Sequence, residues 1–133
     1  MNWGNSKSEK LEEYLVETLR SAEFMSKDMQ HRFFDSPASS DKDPLMRASM
    51  LQKLYLPELD NAHSTFLKAI GNFQSWIATG MQERLDAMKS GKGKISPSEA
   101  HLAKYPDYLQ GLNAAVTLIE QDSKKLARQL HEA

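Results

Sequence analysis

Apolar residues recur every three or four positions along most of this chain. The longest such run extends from Pro44 to Lys89, and similar stretches precede and follow it. This spacing places the apolar side chains on one slowly drifting side of an α-helix, which other helices must cover. The stripe of the central run consists of Leu51, Tyr55, Leu59, Ala62, Phe66, Ile70, Phe73, Ile77, Met81, Leu85 and Met88.

Two sequence patterns predict where helices begin. Ser6 and Glu9 match a capping box, in which each side chain bonds a backbone amide of the first turn, so a first helix is expected over about residues 7–34. Ser96 and Glu99 match the same pattern and predict a short helix at 97–104.

Pro57 interrupts the central run. A proline in a helix interior removes a hydrogen bond, clashes with the preceding turn and costs about 3 kcal/mol. Either a short helix (44–55) ends before it and a longer helix (57–89) follows, or one helix is kinked there. The residue before a proline disfavours the helical region, which favours a break or a strong kink.

These elements predict an all-α fold. The 133 residues form one domain over residues 1–133, an antiparallel bundle of three long helices, with 44–55 as a short extra helix if the chain breaks at Pro57. A 33-residue helix is about 50 Å long and outreaches the first helix. A second copy is the simplest cover for the projecting end, so we expect a homodimer.

Composition narrows the classes of function. The 17 Lys and Arg residues nearly cancel the 18 Asp and Glu residues, whereas nucleic-acid binders usually carry a basic excess. Apolar stretches are too short to span a bilayer, and the N-terminus lacks the apolar segment of a signal peptide. The chain contains no cysteine. We expect a cytoplasmic protein without a membrane span.

The sequence offers no catalytic or metal-binding constellation. Its histidines, His31, His63, His101 and His131, lie in four separate segments and never at the i, i+4 spacing of a helical metal site. There is no cysteine nucleophile and no Gly-x-Ser-x-Gly elbow. We therefore expect a non-enzymatic protein with no catalytic residue, cofactor or metal ion.

Residues 45–56 are apolar on more than one helix face. A helix of this kind is either central in a fold or covered by a partner. Large aromatic side chains such as Trp76 are frequent anchors at interfaces, although a core position explains this one as well. The predicted partner-binding residues are Leu45, Met46, Met50, Leu54, Tyr55 and Trp76.

The loop after the central run is rich in glycine and lysine and precedes a predicted helix start. Helix N-termini attract anions. If this loop binds an anion, its contacts are Lys92, Lys94 and the amides near Ser98. A solvated interhelical loop explains the same residues.

The favoured function is a protein–protein interaction module, such as an adaptor, assembly factor, chaperone or inhibitor. A bundle that senses a small molecule is the alternative, with candidate polar lining residues Gln74, Ser75, Asn113 and Thr117. Nucleic-acid binding is a further alternative if one end of the bundle gathers Lys89, Lys92, Lys94, Lys124, Lys125 and Arg128.

Overall fold

The described residues are mostly helical and contain no strand, which confirms the all-α prediction. The computed structural model describes residues 3–40, 42–91 and 96–132, and only the backbone of residues 3–5. The helices are α1 (Trp3–Phe34), α2 (Leu45–Tyr55), α3 (Asp60–Lys89), α4 (Glu99–Leu102) and α5 (Tyr105–Glu132), with a 3₁₀ turn at Pro57–Leu59 between α2 and α3.

The chain turns back at Pro57, so the short extra helix forms. Leu56 has φ −129° and ψ 56°, outside the helical region, and Pro57 opens the 3₁₀ turn. Ser49 and His63, each seven residues from Leu56, lie within hydrogen-bond distance of each other. This contact requires a reversal rather than a kink.

Helix α2 runs antiparallel to the first half of α1. Near the start of α2, Arg47 Nη2 lies 3.4 Å from Glu13 Oε2. Beyond its end, Glu58 pairs with Lys7 at 2.5 Å, closer to the start of α1. Because α2 returns the chain to this end of the bundle, α3 starts there and runs parallel to α1.

Helix α5 runs back along α3. Its first residue, Tyr105, packs against Phe73 and Trp76 near the middle of α3. Helix α5 also contacts the Pro57–Leu59 turn that precedes α3. Three long helices and the short α2 thus enclose one core. Its largest fully buried side chains include Tyr14, Phe33, Leu56, Leu59, Phe66, Phe73, Leu112 and Ile119.

Local predictions were wrong at several helix ends. Helix α1 already starts at Trp3, so Ser6 lies inside it and does not cap it. Ser98, not Ser96, caps α4, and its hydroxyl accepts a hydrogen bond from the His101 amide. Leu85 and Met88 are exposed, because near the end of α3 the residue that faces the core is Arg84.

No helix in the described part of the chain combines the length and apolar character needed to cross a membrane.

Candidate functional site

The outer face of α2 carries three large apolar side chains in a row. Met46, Met50 and Leu54 are four residues apart, so they lie on one side of the helix. Their exposed fractions are 76%, 56% and 67%. We call these three residues the α2 stripe. Single exposed apolar residues are ordinary, but a continuous row marks a surface that excludes water when it is covered.

The opposite face of α2 is already used by the core. Ala48, Leu51 and Gln52 are buried there, and the Gln52 amide donates to the Leu56 carbonyl at 3.0 Å. The α2 stripe is therefore a second apolar face, not the core-facing one. This arrangement explains why residues 45–56 read as apolar all round in the sequence.

A buried polar chain holds α2 against α1 and α3. His63 of α3 has both ring nitrogens engaged: Nδ1 lies 2.8 Å from the Tyr14 hydroxyl, and Nε2 lies 2.9 Å from Ser49 Oγ. One ring nitrogen of a neutral imidazole donates and the other accepts, which both hydroxyl groups can match. The three side chains therefore connect three helices.

Burial decides the charge state of this chain. Desolvation lowers the pKa of His63 below its ordinary value, and the nearby negative charge of Asp60 offsets the effect only partly. Burial also raises the pKa of Tyr14 well above its ordinary value. Both groups are therefore neutral at pH 7, and α2 is held by neutral hydrogen bonds.

The Ser49–His63–Tyr14 chain has the distances of a nucleophile, a base and an orienting group. Acyl transfer also needs donors aimed at the developing oxyanion. Ser49 lies in the middle of α2, where helical amides bond to carbonyls one turn back. The arrangement is consequently suited to holding helices together. Sequence reasoning missed it, because the three residues come from three helices and form no local motif.

Helix α1, which packs against α2, presents an exposed face that combines acidic and apolar residues. We call it the α1 outer face; its residues alternate three and four apart and share one side of the helix. Val16 and Leu19 are 53% and 52% exposed, and the remaining members are exposed glutamates. The members of the α1 outer face are Glu9, Glu12, Val16, Leu19 and Glu23.

Two other predicted partner-binding residues lie beside the stripe. Leu45 is half-buried and packs against the core. Tyr55 is 44% exposed, and Lys10 Nζ lies 5.0 Å from its ring centroid, a cation–π contact between α1 and the end of α2. Both residues frame the surface formed by Met46, Met50 and Leu54.

The prediction that Trp76 binds a partner was wrong, because this side chain is only 3% exposed. Its indole Nε1 donates to the His101 carbonyl at 3.0 Å, and the His101 ring stacks on it at 5.1 Å with an interplanar angle of 6°. His101 Nε2 in turn donates to the Trp76 carbonyl at 2.7 Å. Trp76 thus fixes α4 to α3 inside the fold.

The predicted anion site is not formed at Ser98. Its backbone amide donates to Glu83 Oε2 at 2.8 Å and its hydroxyl to Glu83 Oε1 at 3.2 Å, so a carboxylate of the chain occupies these donors. These bonds lower the pKa of Glu83. Lys92 and Lys94, the other predicted contacts, lie outside the described residues.

The residues named for the two alternative functions do not converge. Gln74, Ser75, Asn113 and Thr117 are all exposed, so they do not line an interhelical cavity. Lys89 ends α3, whereas the basic residues 124–128 of α5 lie toward the opposite end of the bundle, near the turn that begins α3. Among the described residues, no group of three or more His, Asp or Glu side chains is arranged to hold a metal ion.

No protein-family model, curated protein or solved structure matches this chain.

Proposed function

We propose that this protein is a non-catalytic, cytoplasmic protein–protein interaction module whose contact surface is the α2 stripe. The observation that supports it is the continuous exposure of Met46, Met50 and Leu54 on a helix whose other face is buried. Covering such a row removes apolar area from water at about 25 cal/mol per Å², which is the main driving force of association.

The position of α2 suits this task. The helix has 11 residues, about 16 Å in length, and is held on one side by the core and the Ser49–His63–Tyr14 chain. A surface held in one conformation before binding loses little conformational freedom on association. Methionine side chains at two of its three positions adapt to the shape of what covers them.

The test compares two double substitutions. Met50→Gln with Leu54→Gln removes the α2 stripe, and Met88→Gln with Leu85→Gln is the matched control. Met50 and Met88 have almost equal exposure, 56% and 55%, but Met88 lies near the end of α3. Each tagged protein is used for affinity capture from cells that naturally make it, and circular dichroism checks that both variants keep the helicity of the wild type.

If the proposal is right, the wild type and the control capture one protein in stoichiometric amount, which can be a second copy of the chain. The α2 variant is expected not to capture it. Equal capture by all three proteins contradicts the proposal. In a second measurement, the photocrosslinking residue benzoylphenylalanine replaces Met50. If this protein is well expressed in those cells and yet crosslinks to no other protein chain, the proposal is also overturned.

A further inference from the structure

We infer that the occupant of the α2 stripe is the α1 outer face of a second copy of this chain, in a two-fold symmetric dimer. The inference rests on the proposed function and names its partner. It is carried by three observations: the charges of the two faces, their apolar residues, and their levels along the bundle.

The two faces have opposite charge. The charged residues of α2, Arg47 and Lys53, are both basic and exposed. Arg47 already pairs with Glu13 of its own chain, so Lys53 carries the charge argument. On the α1 outer face, Glu9 and Glu12 are exposed and acidic. Opposite charges across an interface select the partner and its register. Because each copy carries a basic residue on α2 and acidic residues on α1, two identical copies can pair opposite charges at both contacts.

Each face also presents exposed apolar residues to the other. Met50 and its neighbours in the α2 stripe stand next to the charged Lys53, and Val16 and Leu19 stand among the glutamates of α1. Pairing the faces covers both apolar sets at once, and the charged residues surround them, as in the rim of ordinary interfaces.

The levels of these residues match under a two-fold axis. Because α2 is antiparallel to α1, Arg47 lies level with Glu13, and Tyr55 lies level with Lys10. An axis parallel to the helices and between the two faces keeps every residue at its own level. It therefore sets α2 against α1 of the second copy, with Lys53 near the level of Glu9 and Glu12.

The resulting interface is a four-helix arrangement. Each copy contributes α1 and α2, and every α2 packs antiparallel against its own α1 and against α1 of the second copy. In such an isologous contact each copy uses the same surface, so a dimer covers the α2 stripe and the α1 outer face of both copies and recruits no third copy. Since α2 is short, the interface lies at the small end of the range for stable complexes, and we expect association at roughly micromolar concentrations.

The first experiment is charge exchange, followed by sedimentation velocity at about 10 to 500 µM, a range that brackets micromolar association. The wild type is expected to move from 15.1 kDa toward twice that mass. Lys53→Glu places two acidic faces together, and Glu9→Lys with Glu12→Lys places two basic faces together, so each variant alone is expected to remain monomeric. Mixed in equal amounts, the two variants carry opposite charges at both contacts and are expected to form a one-to-one dimer.

The second experiment uses the absence of cysteine from the chain. Val16→Cys protein mixed with Met50→Cys protein is expected to give a covalent heterodimer with a short bismaleimide. Val16→Cys mixed with Met88→Cys is the control, because Met88 is as exposed as Met50 but lies near the far end of α3. Equal crosslinking in both mixtures overturns the assignment.

A wild type that is monomeric over the whole range, or a dimer that both charge variants retain, also overturns it. These outcomes remain distinct from failure of the proposed function. If the wild type is monomeric but Met50→Gln with Leu54→Gln still loses a different captured protein, only the second copy is excluded as the occupant.

Discussion

The ring of Phe33 lies directly over Gly80, so that a Cβ at position 80 would overlap its Cζ and Cε1 atoms. The same Cβ would stand 2.9 Å from Nε2 of His101. The missing side chain lets α1 and α3 approach closely at the point where Phe33 meets Trp76 edge-on. The absence of one carbon therefore allows the aromatic cluster at this end of the bundle to pack.

Gly80→Ala is expected to destabilise the protein although alanine favours helices. Overpacking of a filled core costs about 1–3 kcal/mol, which outweighs the gain in helix propensity of about 1 kcal/mol. Gly71→Ala is the matched control within α3, because nothing lies within 4 Å of its Cβ position. We expect Gly71→Ala to be neutral or stabilising in urea unfolding. Equal stability of the two variants would disprove the role given to Phe33.

The free energy of unfolding should decrease as the pH is lowered, because of the titration of His63. Burial lowers the pKa of this residue in the folded chain, and unfolding returns it to its ordinary 6.5. As the pH falls through 6.5, the unfolded state takes up a proton that the folded state does not, so the free energy of unfolding decreases until the lower, folded pKa is reached. Urea unfolding between about pH 7.5 and pH 5 measures this slope.

His63→Gln is expected to flatten that slope, whereas His131→Gln, at an exposed position, leaves it unchanged. The lowered carboxyl pKa values of Asp35, Glu58 and Glu83 do not interfere, because their contributions are lost only in more acidic solution. An unchanged slope in His63→Gln would assign the pH dependence to other groups.

Trp76→Phe is expected to lower stability without affecting any contact of the α2 stripe. The phenyl ring cannot donate to the His101 carbonyl, which then keeps only the Lys104 amide, at 3.2 Å, as a donor. Loss of one hydrogen bond of two costs about 0.5–1.5 kcal/mol. Thermal unfolding measures the loss, and sedimentation or capture measures association in the same samples. If a folded Trp76→Phe variant no longer associates, Trp76 contributes to the interface after all.

Arg84→Met should be destabilising because Arg84 joins α3 to the end of α1. Arg84 is only 8% exposed, and its guanidinium donates to the Arg32 carbonyl and to Asp35 Oδ2, the latter at 2.6 Å. Loss of a charged donor to the carbonyl costs about 1.5–3 kcal/mol. Asp35 itself has φ 58°, the left-handed conformation that ends α1.

The control for Arg84→Met is Lys27→Met, which removes an exposed ion pair with Glu23 at 3.1 Å. Pairs of this kind contribute about 0–1 kcal/mol, so urea unfolding should barely change. If both substitutions have the same small effect, the contacts of Arg84 do not hold the end of α1.

Much of the α2 surface was predictable from sequence, and its geometry was not. The doubly apolar segment 45–56 indicated a helix with a second face to cover, and Met46, Met50 and Leu54 are exposed. Trp76 was misassigned because its position, just off the apolar line of α3, fits both a core and a surface residue. Only the packing of Phe33, His101 and Tyr105 around it decides between them.

Helix ends were the least predictable part of the fold. Ser6 and Ser96 match capping patterns, yet neither caps a helix, because the pattern records only the ability to accept a hydrogen bond. Where a helix begins also depends on what its first turn packs against. Ser98 caps α4 with Glu83 from α3 bonded to its amide and hydroxyl, a contact between segments 15 residues apart.

The sequence by itself determined that the chain is an all-α bundle with a break or strong kink at Pro57, because helical periodicity and proline sterics act over a few residues. The tertiary contact between Ser49 and His63 decided for the break. Tertiary structure decided that α1 and α3 run parallel, that His63 joins Tyr14 to Ser49, and that Arg47 of α2 pairs with Glu13 of α1. Those relationships connect residues tens of positions apart. They depend on how whole helices pack, which no local pattern records.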